Sequence, residues 1–498
     1  MNKFNHNGIM VPKYEAKGFK ILFKGRELQL SPIQEEMAVA WVKKLGTEYV
    51  EDRVFVRNFF RDFSKALNLE GNVTPEDFDF SEIQRHVEAE KNRKLNLSKE
   101  EKKQQAQNRK TIREANKEKY GYALVDDVKV EVGNYVAEPS SIFMGRGTHP
   151  LRGRWKQGAA ENDIILNLSP DASTPPGNWK AIVWLPDCMW IARWDDKLSG
   201  KEKYVWLADS APVKQERDIE KFDKARTLEG KIKSIQAHIF ENLSSPDLLR
   251  RKIATVCYLI DALKLRVGDE KDKDEADTVG ATTLRPEHVS FNSDGKTVFD
   301  FYGKDFVRWH VEIELPEPVN NNLKEFMSGT KSSIFNGVKS ENVRNFLSEV
   351  VPGLSAKVFR TYHATTIVED FLRKEKTSKS DPDYIKKYAA TMANLQAATI
   401  CNHKRKLPKN WEESLRKKRE TLKKLRTLKT KKSKERIREL QVRIKTLQDT
   451  KDYNLRTSLK SYIDPRAYFK WGEKVDYDWK LYYPKTLQRK FSWVEKKQ

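Results

Sequence analysis

The stretch "IRELQVRIKTL", residues 437–447, decides how the chain is organised. Ile437, Leu440, Ile444 and Leu447 recur at the 3-4-3 spacing of a coiled-coil seam, and Leu415, Leu422 and Leu425 offer a second stripe just upstream. Between the two, "TLKTKKSK" (427–434) predicts the bend of an antiparallel helical hairpin. Everything around the seam is charged. Residues 409–452 carry seventeen Lys and Arg against seven Asp and Glu, a net of 17 − 7 = +10, so the hairpin reads as a protruding basic linker. A solvated charged arm is the plainer reading, and the two are compatible.

The whole chain shares that bias. Its 498 residues hold 95 Lys+Arg against 72 Asp+Glu, a formal net charge of +23, which marks a polyanion-facing surface. With 38% apolar and 10% aromatic residues the chain can bury real cores, and its length allows about two to four domains. Cys188, Cys257 and Cys401 form no CxxC, which fits a reducing compartment without a disulfide scaffold or thiolate zinc site. The histidines show no HxxxH or HExxH spacing, so no metal site is expected. "MNKFNHNGIMVPKYEAKGF" lacks an apolar signal region and no stretch approaches eighteen apolar residues, so neither secretion nor membrane spanning is expected. "MSGTKSS" (327–333) lacks the first glycine of a phosphate loop, so ATP is not expected.

Upstream of the linker, "SPIQEEMAVAWVKKL" (31–45) predicts a helix with Ser31 as N-cap and Pro32 at its first position. Residues 98–120 predict a very polar helix with a Ser98–Glu101 capping box and a stop at Gly121, a candidate connector or hinge. From 122 to 208 the runs "DIILNL", "WKAIVWL", "MWIARW" and "KYVWLA" between Gly, Pro, Asp and Asn clusters predict strands. Helices are expected again over 215–266, one of them capped by Ser245–Pro246. "TVFDFYGKDFVRWHVEI" (297–313) predicts a β-hairpin turning at Gly303-Lys304-Asp305, and helices follow near 355–374 and 382–402.

Five polar residues stand at expected element ends: Arg266 ending a helix, Lys304 in the hairpin turn, Arg360 early in a helix, His403 after one, and Tyr462 in "TSLKSYIDPRAYFKW" (457–471) past the linker. Each has an ordinary explanation, since cations at helix ends complement the dipole and a lone tyrosine usually packs. Together they suit phosphoryl transfer from DNA. Guanidiniums and an imidazole hold the nonbridging oxygens, a phenol of unperturbed pKa ~10 attacks once its anion is stabilised, and a lysine protonates the leaving oxygen. Nothing in composition or spacing brings the five together.

"GIMVPKYE", "NFFRDF", "FMGRGTHP" (143–150), "ALKLRVGDEK", "ADTVG", "LRPEH", "FYGKD", "SAKVFRTY", "CNHKR" and "SYIDPR" follow one another in an order that resembles the eukaryotic-type DNA topoisomerase IB family across nearly the whole chain. The resemblance implies an α+β fold: a two-lobed DNA clamp with a mixed α/β cap lobe, a mainly helical tyrosine-recombinase-like catalytic domain and a coiled-coil linker. Its domains would be a β-rich core subdomain at 1–24 and 108–212, a cap at 25–107, a catalytic core at 213–405, the linker at 406–452 and a C-terminal domain at 453–498. It implies that Arg266, Arg360 and His403 hold the scissile phosphate, that Lys304 protonates the 5′-hydroxyl, and that Tyr462 forms a 3′-phosphotyrosyl link. Arg146, Lys271, Thr278, Asp305, Lys357 and Thr361 match DNA-contacting or site-supporting positions, although the acidic loop between Lys271 and Thr278 is one residue shorter than usual. Supercoiled double-stranded DNA would be the partner of a monomer, with no ATP, metal or membrane involved, and the location intracellular and chromosome-associated.

Ser461 and Asp269 stand where many members have asparagine, so Ser461 marks a candidate departure in the pocket that takes camptothecin-type poisons. A compact archaeal member fits the missing N-terminal extension and short linker, as does a shortened form of a longer chain. Two other readings remain. A tyrosine recombinase shares the chemistry but works on synapsed sites, and an architectural DNA clamp would bind by charge without a covalent adduct.

Overall fold

The computed structural model describes residues 1–71, 73–268, 277–328, 330, 332–428 and 430–495. Among these, residues 1–211 form one compact unit and the residues from 212 onward form a second. The fold is α+β. No described helix is long and apolar enough to cross a membrane.

The first unit opens with β1 (Phe4–His6) and the hairpin of β2 (Lys20–Phe23) and β3 (Arg26–Gln29). Helix α1 (Pro32–Val42) begins as expected, with the Ser31 N–H donating to the Gln34 side chain at 2.8 Å. Helix α2 (Arg53–Ala66) sends Phe55, Phe59, Phe60 and Phe63 into an aromatic core, where short β4 (Phe78–Asp79) pairs with β2 and α3 (Ser81–Asn96) adds Ile83. Helix α4 (Lys99–Tyr120) carries the expected Ser98–Glu101 box and buries none of its residues, as a helix polar on every side must.

Strands then dominate. β5 (Tyr122–Val125) lies between β1 and β6 (Val128–Glu131), and β7 (Ser141–Ile142) pairs with β8 (Trp155–Lys156). β9 (Ile165–Asn167), β10 (Ala181–Val183), β11 (Trp190–Asp195) and β12 (Glu202–Trp206) make a sheet in the order β10-β9-β11-β12.

The second unit begins with α5 (Pro212–Thr227), α6 (Ile232–Asn242) and α7 (Leu248–Leu263). The cap of α7 corrects the expectation: Asp247, not Ser245, is the N-cap, because its carboxylate accepts the Leu249 N–H at 2.9 Å. Arg266 is not on the helix either. Lys264 takes a left-handed conformation (φ 55°) and ends α7 two residues earlier. Strands β13 (Val289–Phe291), β14 (Thr297–Gly303) and β15 (Val307–Ile313) form an antiparallel sheet. Gly303 still pairs with Val307, so the turn is Lys304–Phe306, one residue later than expected.

Helices α8 (Glu317–Ser328), α9 (Ser340–Ser348), α10 (Ala356–Lys374) and α11 (Asp383–Ile400) follow. Helix α10 joins two cores. Val358 and Phe359 in its first turns pack with Leu259, Ile260, Phe299 and Leu323, while Ala364 and Val368 further along pack with Ala390, Ala393, Tyr468 and Phe491. Helices α12 (Trp411–Arg426) and α13 (Lys431–Asp449) lie against each other with Leu415 and Ile444 buried along the predicted seam. Beyond them, α14 (Leu455–Ser461), α15 (Pro465–Val475) and α16 (Lys485–Lys490) complete the second core.

Candidate active site

Tyr462 caps α14 and is 4% exposed. Its backbone is held from both sides. Its N–H donates to the Ser458 carbonyl at 2.9 Å, and the buried Thr365 hydroxyl donates to the Tyr462 carbonyl at 3.3 Å. The same hydroxyl accepts the Asp464 N–H at 3.0 Å, so one side chain of α10 bridges the turn between α14 and α15. Asp464 caps α15 through the Arg466 N–H and pairs with the Arg226 guanidinium at 2.7 Å. The phenol therefore sits on a turn fixed by hydrogen bonds rather than on a surface loop.

Three cationic or polar side chains surround its ring. The guanidinium carbons of Arg360 and Arg266 lie 5.0 and 5.9 Å from the ring centroid, and the His403 imidazole lies 5.4 Å away at 29° to it. Arg360 is buried and spends one terminal nitrogen on the Cys401 carbonyl at 2.7 Å, leaving its Nε buried without a partner. Both ring nitrogens of His403 are likewise buried and unpartnered. Burial, reinforced by the positive charges of Arg360 and Arg266, pushes the imidazole down to about 3, so it is neutral near pH 7. Orphaned buried donors beside two guanidiniums fit an anion that accepts several hydrogen bonds.

The backbone explains the convergence. His403 donates its N–H to Ala398 at 2.8 Å, and its carbonyl accepts the Asn454 N–H at 2.7 Å, which ties the start of the linker to its end. Arg266 sits in a segment where Gly268 and Gly280 meet so closely that a Cβ on Gly268 would stand 2.7 Å from the Gly280 Cα. Arg266 and Arg360 are further joined through their neighbours: His363, one turn after Arg360, contacts the Asp261 carboxylate at 2.6 Å, and Gln236 holds the other oxygen at 2.8 Å.

The remaining sequence candidates are distributed. Lys304 is exposed in the hairpin turn and makes no hydrogen bond or ion pair to the other four among the described residues. Asp305 follows it with a left-handed backbone. Lys357 is exposed at the start of α10, and buried Thr361 donates to its carbonyl at 3.4 Å. Thr278 is half-buried beside Val279, whose N–H donates to the Tyr302 carbonyl at 2.8 Å. Arg146 is exposed in the other unit, between Gly145 and Gly147, both of positive φ. Ser461 ends α14, half-buried. Lys271 and Asp269 lie outside the described residues.

Residues 1–207 match the DNA-binding fragment of eukaryotic DNA topoisomerase I, 210–437 its catalytic core and 434–498 the C-terminal topoisomerase domain. The chain is 32% identical to human DNA topoisomerase 1 over 540 residues, covering 98% of this chain and 70% of that protein. It belongs to the eukaryotic DNA topoisomerase I family. DNA topoisomerase 1 of Drosophila melanogaster is 34% identical and DNA topoisomerase 1 beta of Arabidopsis thaliana 33%, each over 98% of this chain. The chain spans 53% and 58% of the lengths of those two relatives.

Several supports of the site left no trace in the sequence. Thr365, His363 and Asp261 fall outside the quoted segments and act through partners 97, 102 and 25 positions away, whereas Asn402 lies inside "CNHKR" but its contact 94 positions away has no signal in the sequence. The one signal available was His363, a titratable residue three positions from Arg360 on a helix, where i and i+3 share a face.

Proposed function

We propose that the chain is a type IB DNA topoisomerase that relaxes positive and negative supercoils through a transient 3′-phosphotyrosyl break in one strand. The observation that carries this reading is the gathering of Arg266, Arg360 and His403, with unpartnered buried donors, around the ring of Tyr462. In the reaction the Tyr462 oxygen bonds to phosphorus as the P–O5′ bond breaks. The phenolic proton leaves to solvent, and the Lys304 ammonium gives a proton to the departing 5′-oxygen. Arg266 and Arg360 stabilise the charge that grows on the nonbridging oxygens, and the neutral imidazole of His403 donates its single N–H to one of them.

The free 5′ end then rotates and attacks the tyrosyl ester, which restores the phosphodiester and releases Tyr462. The ester conserves the bond energy, so the cycle consumes no ATP and needs no divalent metal. Arg146, Lys271, Thr278, Asp305, Lys357 and Thr361 serve in this reading as contacts to the duplex or supports of the site. Residues 1–24 with 108–212 act as the DNA-facing core, 25–107 as the cap, 213–405 and 453–498 as the catalytic part, and 406–452 as the linker of a clamp that works as a monomer inside the cell on chromosomal DNA. Ser461 weakens camptothecin-type trapping. Cleavage complexes trapped at the sensitivity shown by a member with asparagine in that position would sink that assignment.

The test uses supercoiled plasmid in EDTA without ATP. The chain should relax both signs of supercoil and leave protein on the 3′ end of the broken strand, and Tyr462→Phe should do neither. Activity surviving in Tyr462→Phe overturns the nucleophile. Exchange of strands between two duplexes points to a recombinase, and binding with no adduct to an architectural clamp.

A further inference from the structure

The hairpin that carries Lys304 contains a brace that proton transfer by itself does not require. Tyr302, near the end of β14, and Phe306, the last residue of the turn, stack with centroids 4.3 Å apart and planes 14° from parallel. The pair stands outside the core. Tyr302 is 44% exposed, and the inward positions of the same strand are Phe299 and Phe301. The stack spans the base of a costly turn: Asp305 and Phe306 both take left-handed backbones, with φ of 67° and 58°. That conformation is unfavourable for a side chain with a Cβ and rare for a bulky one, so it persists only where neighbouring contacts hold it.

Two further contacts fix the hairpin around the turn. A Cβ on Gly303 would stand 3.0 Å from the Trp309 indole, so strand and ring meet closely just before Lys304. On β15, the Arg308 carbonyl accepts the Asn402 side-chain amide at 2.9 Å. Asn402 is itself left-handed (φ 51°) and immediately precedes His403. The arm bearing Lys304 is thus tied to the loop bearing His403 two residues from the turn, and its tip is stiffened by the ring pair.

We propose that Tyr302 and Phe306 are positioning residues for Lys304, their stack holding the turn Lys304–Phe306 in the conformation that presents the ammonium to the leaving 5′-oxygen. The inference rests on the role given to Lys304 above. Without the stack the left-handed backbone of Phe306 loses the ring contact that supports it, and the turn relaxes to other conformers. Arg266, Arg360, His403 and Tyr462 are built on other elements and keep their grip on the phosphate. The loss therefore falls on protonation of the leaving group alone.

Sulfur in place of the bridging 5′-oxygen isolates that step. The P–S5′ bond then breaks to give a thiolate, which leaves without a proton because a thiol pKa is roughly 8.5. A partly duplex DNA bearing a cleavage site mapped with the wild-type chain is made in both forms, and single-turnover formation of the Tyr462 adduct is timed. Tyr302→Ala removes the partner ring from an exposed strand position and leaves the left-handed backbone of Phe306 in place, so it folds without the stack. It should slow cleavage of the oxygen substrate by about tenfold or more while leaving the sulfur substrate within about twofold of wild type, as expected for impaired general-acid delivery. Tyr302→Phe, which keeps a ring, should recover most of the oxygen rate. Equal losses on both substrates, or no loss on either, overturn the proposal provided Lys304→Ala shows the selective loss. If Lys304→Ala slows both substrates alike, the general-acid role of Lys304 fails and this inference falls with it.

Discussion

At the residue scale the site depends on groups held in unusual states by their neighbours. His403 is the clearest case, with its imidazole lowered from 6.5 to about 3 by burial and by Arg360 and Arg266. In the unfolded chain it binds a proton below about 6.5, whereas the folded chain binds one only near 3. Between those values the unfolded state holds more protons, so folding stability is complete above 6.5 and is lost as the pH falls towards 3. His6, buried and lowered to about 4, pulls the same way from the other unit. His403→Gln should therefore flatten the acid limb of stability between pH 6 and 4 without abolishing it, as read from denaturant midpoints. An unchanged acid limb would mean that His403 is not held neutral. Thr365 offers a second test, because its hydroxyl alone joins the Tyr462 carbonyl to the Asp464 N–H. Thr365→Val keeps the shape and strands a buried N–H, which should cost about 1–3 kcal/mol in unfolding free energy and slow cleavage, with Thr365→Ser recovering both. Equal stability and rate in the valine variant would remove the bridge from the account.

At the element scale, what was legible in the sequence and what was not divide on a physical line. Helices α1 and α4 were readable because their start signals are local: Ser31–Pro32 and the Ser98–Glu101 box act within one turn. The linker was readable because a 3-4-3 stripe among so many charges has few other uses. The end of α7 was not, because Lys264 enters the left-handed region without a glycine to announce it. The hairpin turn slipped by one residue for the same reason, since Asp305 and Phe306 supply positive φ where glycine was expected to mark the bend. The root of the linker was equally hidden. Tyr388 on α11 donates to Asp449 of α13 at 3.1 Å, Lys445 pairs with that carboxylate at 2.9 Å, and Arg405 donates its N–H to the Asp452 carbonyl at 2.9 Å. Asp449→Ala should loosen this root. Hydrogen exchange at 446–454 should rise, while α12 and the far half of α13, held by Leu415 and the seam, stay protected. Unchanged exchange would show that the seam alone positions the linker.

At the scale of the whole molecule, the five residues of the proposed reaction lie within about 200 positions of chain, yet only the second unit's two cores make four of them neighbours. Helix α10 belongs to both cores, so Arg360, which faces Tyr462, and Thr365, which holds the Tyr462 backbone, ride on one rigid element. That arrangement separates grip from chemistry. Of the formal net charge of +23, +10 lies in residues 409–452, whereas the reacting phenol is a single uncharged group. Binding to DNA should then be governed by released counterions, each neutralised phosphate adding roughly 0.9 to the slope of log K against log salt. Tyr462→Phe should reproduce the wild-type slope and affinity to within about twofold, because no phosphate contact is lost. Replacing Lys417, Lys418, Lys423 and Lys424 of α12 by glutamine should lower the slope, by up to about one unit for each residue that meets a phosphate, and leave single-turnover cleavage of saturating DNA unchanged. Equilibrium binding of a duplex over a tenfold range of salt measures the first, and adduct formation the second. A slope that did not move would make the linker a tether without electrostatic work, and a slowed cleavage step would make it part of the catalytic assembly.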